Sequence, residues 1–306
     1  MLRTILFSIL LLTSLTGKSQ NFFDWQYHDR YFSVFAGTGW TGYVGDLTNG
    51  KPFTSGLSHF NIGAEARLYS RIAARVQYTV YKLEGSDKNA ADSSYNRQRN
   101  LSFHSVNHEW QAQMVYYLFK YNKKYYKRRP YEPYVAIGVG QTFFNPKADL
   151  YDTQADKIKT YPLRDYRTET DSYGKAAWII PVDLGVKLAI NEFMNLGVDA
   201  GYRFAFTGYL DDVHGDYADP NGDGTGYPDG TISSSLSNRK FESDVYIINQ
   251  EAFDELIPGA QRGNGKFDSY FMLNFNLEIY LPKDVFRSKK GRGRKGKILG
   301  KPGAYD

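Results

Sequence analysis

Two stretches carry the residues best able to do chemistry. The first is Asp219-Pro-Asn221-Gly-Asp223-Gly-Thr225-Gly226, where oxygen-bearing side chains at Asp219, Asn221, Asp223 and Thr225 alternate and Gly224 stands at the sharp turn. That spacing matches the first half of an EF-hand-type calcium loop. The second half departs from it: the position owed a bidentate Glu is Gly230, with Asp229 the nearest carboxylate. The same composition also suits an ordinary surface loop, and a bound calcium would stiffen the loop without performing a reaction. The second stretch holds His104 and His108 with Ser102 and Ser105 close by, a base and a hydroxyl of the kind that lipid-modifying barrels carry near their rims. Alternation puts both histidines on the face of Trp110 and Met114 and Ser105 on the other, so Ser105 and the histidines do not converge. Interfacial packing or a loop-end hydrogen bond accounts for them better. No HExxH, GxSxG or GxxxxGK[ST] pattern occurs, and the absence of cysteine excludes disulfides and Cys-ligated metals. The expectation is a chain with no catalytic centre and no cofactor, calcium at 219–226 being the one metal candidate.

The elements that would position these residues are period-two segments. In eight stretches apolar residues recur at every second position, the pattern of a strand with two unlike faces. Phe60, Ile62, Ala64, Ala66 and Leu68 oppose Asn61, Gly63, Glu65 and Arg67; Ala74, Val76, Tyr78 and Val80 oppose Arg75, Gln77 and Thr79. Val106 to Tyr116 oppose a polar row that includes Glu109, and Trp178 to Leu188 oppose Asp183 and Lys187. Leu196 to Phe206 oppose Asp199 and Arg203, while Phe271 to Leu281 oppose Glu278. Two further segments, about 31–41 and 134–144, are filled by small residues on one face. Many runs reach ten residues or more, the length of a tilted membrane-crossing strand, against about five or six in soluble sheets. Tight turns at 69–71 and 190–193 and an intermediate connection at 119–132 alternate with long connections at 43–55, 85–99, 145–173 and 207–268. This rhythm predicts an all-β chain: a transmembrane antiparallel β-barrel of about eight strands, with long extracellular loops, both termini periplasmic, and β-prone runs in the two longest loops that could extend a hairpin. Glu65, Arg67, Arg75, Glu109, Asp183, Lys187, Asp199, Arg203 and Glu278 then point inward. A barrel of this size is filled by its side chains, so the charges are expected to pair as a plug that conducts nothing.

Composition fits an exported barrel. Arg3, the apolar run Ile5 to Leu12 and Gly17-Lys18-Ser19 have the layout of a cleavable signal peptide over 1–19, leaving a barrel at 20–282 and a tail at 283–306. Aromatic residues make up 16% of the chain, yet mean hydropathy is −0.53, a pairing that suits aromatic girdles between polar loops. The net charge of +5 is unevenly spread, because the tail alone carries nine basic and two acidic residues. The basic balance therefore reports a tail and gives no reason to expect nucleic acid as a partner. Lys289, Lys290, Arg292, Arg294 and Lys295 in the tail, with Lys123, Lys124, Arg128 and Arg129 in the intermediate connection, would form a basic periplasmic rim. That rim suits electrostatic docking, or is simply solvated.

Three stretches, in this order, resemble the PorG-like outer-membrane proteins of the Bacteroidota type IX secretion system. They are Phe35-Ala-Gly-Thr-Gly-Trp-Thr-Gly-Tyr43-Val-Gly45-Asp46-Leu47, Phe206-Thr-Gly-Tyr209-Leu210-Asp211-Asp212-Val213 and Asp268-Ser-Tyr-Phe-Met-Leu-Asn-Phe275. The resemblance implies an outer-membrane barrel associated with protein transport and gliding motility, contacting lipid and a periplasmic PorK/PorN-like ring as a scaffold. The longer loops and basic tail depart from that pattern and leave room for another envelope complex. Physically, Tyr209 to Val213 reads as a strand end whose two carboxylates meet the headgroup layer. A surface-binding barrel with a calcium-stiffened loop, and a lipid-modifying enzyme, stand as the alternatives.

Overall fold

A computed structural model describes residues 32–49, 53–91, 94–120, 129–152, 156–169, 171–219, 221, 226–228, 231–242 and 260–281. The proposed signal peptide and basic tail, and the β-prone run Asp244-Val-Tyr-Ile-Ile248 of the longest loop, lie outside the described residues. Ten strands form: β1 (Phe32–Val44), β2 (His59–Arg67), β3 (Ile72–Ser86), β4 (Ser102–Tyr117), β5 (Tyr131–Phe143), β6 (Lys147–Asp152), β7 (Lys157–Pro162), β8 (Ala176–Ala189), β9 (Met194–Ala205) and β10 (Ser269–Leu281). Eight of them close on themselves. Each pairs antiparallel with its chain neighbour, β5 pairs with β8, and β1 pairs with β10 from Phe32↔Leu281 to Val44↔Ser269. The result is a closed eight-stranded antiparallel barrel of outer-membrane type, a shape that leaves no free sheet edge within the wall.

Local chemistry explains the turns. After β2, the amides of Leu68 and Tyr69 both donate to the Ile72 carbonyl, at 2.8 and 3.0 Å. After β8, the Asn191 side-chain oxygen accepts from the amides of Phe193 and Met194, at 2.9 and 3.0 Å, the local bonding for which Asn is favoured in turns. Both turns lie at the rim where β1 starts and β10 ends. Pro181 sits inside β8 and has no amide to donate; the pairing between β5 and β8 runs from Ile137↔Val182 to Gly140↔Ile179 with no pair between them.

Outward positions carry an apolar belt. Ile62, Val76, Met114, Val139, Trp178 and Leu184 are each more than half exposed. Burying one such side chain fully is worth roughly 1.5–3 kcal/mol, and a ring of them facing water would forfeit that gain around the whole wall. Aromatic pairs punctuate the belt: Trp110 meets Trp178 edge-on at 6.2 Å and Trp40 meets Phe275 at 5.6 Å. No helix among the described residues is long and apolar enough to cross a membrane.

At the other rim the connections fold back over the mouth. β6 and β7 form a hairpin beyond the wall, joined to β4 at His104↔Lys147, and short helices α1 (Tyr95–Arg99), α2 (Leu163–Tyr166) and α3 (Ile232–Ser237) sit among the loops. Thus one of the two long loops with β-prone runs does extend a hairpin, and the wall still counts eight strands. Leu47, Leu83, Phe103, Leu150, Leu163, Leu210, Val213 and Leu236 pack together as an apolar layer beneath the loops.

Candidate functional site

The inward faces of the eight strands fill the lumen with charge. All nine residues with the inward phase, Glu65, Arg67, Arg75, Glu109, Asp183, Lys187, Asp199, Arg203 and Glu278, are buried inside the barrel. Near the short-turn rim, Lys187 Nζ sits 2.9 Å from Glu65 and 2.7 Å from Glu278, and Arg75 donates to Glu65 at 3.0 Å. The Tyr117 hydroxyl donates to Glu65 as well, and Ser33 and Asn195 donate to Glu278 at 2.6 and 2.8 Å. Arg67 pairs with Glu132 at 2.7 Å and lies 3.7 Å above the Tyr117 ring. Glu132 is a partner that the sequence assigns to a connection; the strand starts at Tyr131 and turns it inward. Deeper in, Arg203 pairs with Asp183 at 2.6 Å and lies 3.6 Å from Glu109, while Asn274 and Asn276 donate to Asp199 at 2.6 and 2.8 Å.

Leaving a buried charge unpaired costs several kcal/mol, and the pairing offsets that cost. The network also interlocks five wall strands through one cation: Lys187 on β8 bridges β2 and β10, while Glu65 receives β3 and β4.

Above the lumen, the rim ends of the three stretches of the sequence resemblance meet in one roof, while the rest of the first and third run down the wall in β1 and β10. Tyr43, at the end of β1, donates its hydroxyl to Asp268 at 2.8 Å, and the other oxygen of Asp268 accepts the Leu210 amide at 2.9 Å. Gly45 is where the chain passes over this contact: a methyl there would run into the Tyr43 hydroxyl and the Asp268 carboxylate. Asp46 accepts the Asn264 amide at 3.1 Å. Asp211 accepts the Val213 amide at 2.9 Å, and Asp212 receives the hydroxyls of Thr168 and, at 2.6 Å, Tyr173. Arg262 ties the roof together, reaching Glu169 at 3.0 Å and the Asp212 carbonyl at 2.6 Å. Arg99, held by Asp87 at 2.8 Å, reaches the Arg262 carbonyl at 2.6 Å and the Asp46 carbonyl at 3.0 Å.

The expected headgroup contact of Asp211 and Asp212 is therefore corrected. Both side chains are fully enclosed, because the segment after β9 turns across the mouth and does not continue up the wall. Burial raises their carboxyls. Asp212 is pushed up to about 6 by burial, with Arg262 and the two hydroxyls opposing. Asp268 is pushed up to about 7 by burial, opposed by the Tyr43 hydroxyl and the Leu210 amide. Asp211 rises well above the ordinary range through burial and its closeness to Asp268.

The remaining candidates are scattered. His104 faces out beside the hairpin, with Nδ1 3.7 Å from Asp149; the Ser102 hydroxyl accepts from Arg239 at 3.0 Å, and Ser105 is buried inside. His108 lies on the outer wall and shares a 2.8 Å hydrogen bond with Tyr78. Asp219 is half-buried and Asn221 exposed, while Asp223 and Thr225 lie outside the described residues. So do Lys123, Lys124, Arg128, Lys289, Lys290, Arg292, Arg294 and Lys295. Arg129 is described: it is exposed at the short-turn rim, 4.7 Å over the Phe119 ring, and the exposed Arg71 and Lys120 share that rim. Glu169 and Arg262, which hold the roof, carry no signal in the sequence, because neither lies in a periodic segment.

Residues 5–222 match the family model described as "Domain of unknown function (DUF6089)". The chain belongs to this family. No curated protein matches the DUF6089 chain. Among solved structures it is similar to the outer membrane protein OprG from Pseudomonas aeruginosa, with 10% identity and a TM-score of 0.40, covering 83% of this chain and 98% of that one. A major outer membrane protein from Thermus thermophilus shows 15% identity and a TM-score of 0.38, covering 83% and 100%. Neisserial surface protein A shows 11% identity and a TM-score of 0.36, covering 82% and 96%.

Proposed function

We propose that this DUF6089 chain is an integral outer-membrane protein that serves as a scaffold and anchor in a secretion apparatus of the type IX kind. In this reading the short-turn rim, where both ends of the barrel emerge, faces the periplasm and docks ring proteins of the PorK/PorN kind. The observation that carries it is the filled and roofed lumen. Paired charges block the interior from Arg67 to Arg203 and the folded loops close the mouth, so what the molecule offers to partners is its two rims. Exposed Arg71, Lys120 and Arg129, against one exposed carboxylate at Glu192, give the described part of the short-turn rim a net positive character suited to electrostatic docking. The choice of apparatus rests on the sequence resemblance.

The test is affinity purification of the tagged protein from native envelopes, with secretion assayed in a deletion strain. The scaffold reading expects periplasmic ring proteins to co-purify and type IX export to fall. Recovery of the barrel without them, together with normal export, would overturn it.

A further inference from the structure

The barrel wall has no free sheet edge, but the hairpin beyond it does. β7 is the last strand in the sheet order and pairs, among the described residues, with β6 alone; its far side directs outward the backbone groups of alternate residues, and Pro162 at its end has no amide to offer. The hairpin is firmly seated. Ala148 and Leu150 of β6 are buried in the apolar layer, Tyr161 packs against it, and the Leu163 amide donates to the Pro146 carbonyl at 2.9 Å, closing the base. What it displays is less usual for an exposed edge: Ile158 is 70% exposed and its cross-strand partner Tyr151 60%, side by side on the outer face. Lys157, opposite Asp152 on β6, and Lys159, whose ammonium lies 5.4 Å over the Tyr161 ring, point to the opposite face, both exposed.

We propose that β7 is a docking edge for an extended, acidic segment of a partner polypeptide, added antiparallel or parallel as an eleventh strand. The backbone edge supplies the ladder, and alternate side chains supply selectivity. Residues opposite each other in neighbouring strands share a face. A partner strand with carboxylates opposite Lys157 and Lys159 and an apolar residue opposite Ile158 therefore satisfies both faces. The same lysines disfavour a second copy of this chain in the register centred on Ile158, where antiparallel pairing of β7 with its own copy would set Lys157 opposite Lys159, a usual defence of natural edges. This edge stands at the rim opposite the one proposed for ring docking and does not depend on that reading.

The test uses the full-length barrel in detergent micelles and a fluorescein-labelled ten-residue peptide of alternating Glu and Val, followed by fluorescence anisotropy. Two comparison peptides are an alternating Lys/Val decamer and the Glu/Val decamer N-methylated at every second amide. We expect the Glu/Val peptide to bind at least tenfold more tightly than either comparison peptide. The K157E/K159E double variant, checked for folding by its heat-modifiable migration, should reverse the preference towards the Lys/Val peptide. Equal binding of the N-methylated peptide would overturn the proposal, since attraction without strand pairing needs no amide. Equal or absent binding of the two unmodified peptides, or a preference unmoved by K157E/K159E, would overturn it too.

Discussion

Lys187 shows how one residue organises this interior. Its ammonium is enclosed and reaches two carboxylates on separate strands, Glu65 at 2.9 Å and Glu278 at 2.7 Å. Replacing it with Met keeps most of the volume but leaves two buried carboxylates without their shared cation. Breaking a buried pair from one side costs about 3–5 kcal/mol. Lys187→Met should lower the urea midpoint of the detergent-folded barrel accordingly, and adding Glu278→Gln should recover part of the loss; an unchanged midpoint in the single variant would contradict the network. Gly45 makes a second residue-scale case, because a methyl there meets the Tyr43 hydroxyl and the Asp268 carboxylate. Gly45→Ala should therefore loosen the roof and leave the wall intact, read as faster proteolysis in the 207–268 segment with unaltered heat-modifiable migration.

At the scale of elements, the roof and the wall were unequally legible in the sequence. Strands alternate by necessity, so the inward phase of Glu109 or Asp199 follows from its neighbours. Glu132 escaped because Pro133 and the adjoining basic run read as a connection. The roof has no period, and its contacts are long-range: Tyr43 finds Asp268 across 225 positions. Nothing local in Asp211-Asp212 signals that the segment turns inward, hence the expectation of a headgroup contact. The roof also has its own pH response. Its buried carboxyls are raised, so the fold binds their protons more tightly than the unfolded chain does, whose Asp titrates at about 3.9. Stability from this source is complete below that value and is lost as pH rises through about 6 for Asp212 and about 7 for Asp268. Protease nicking of the roof should accordingly increase from pH 5 to pH 8 while the wall stays resistant. Asp268→Asn, neutral throughout, should flatten that profile; a roof equally resistant at both pH values would count against this account.

The whole molecule joins an outward-facing apolar belt, a lumen packed with paired charge and a roof built from distant segments. Length and alternation were enough to foresee a barrel of eight strands, and the turn rhythm was enough to place its short and long ends; which loops would cross the mouth depended on tertiary contacts that no spacing encodes. The central claim is that the barrel is solid. A barrel of eight strands is just wide enough for side chains to fill, and here ion pairs hold those side chains in place from one rim to the other. The most direct measurement is electrical: purified protein is inserted into a planar lipid bilayer and current is followed across a range of voltages in concentrated salt. The account predicts no steady conductance above the bare bilayer for the intact protein. A stable, ohmic current that scales with the number of inserted barrels would contradict it.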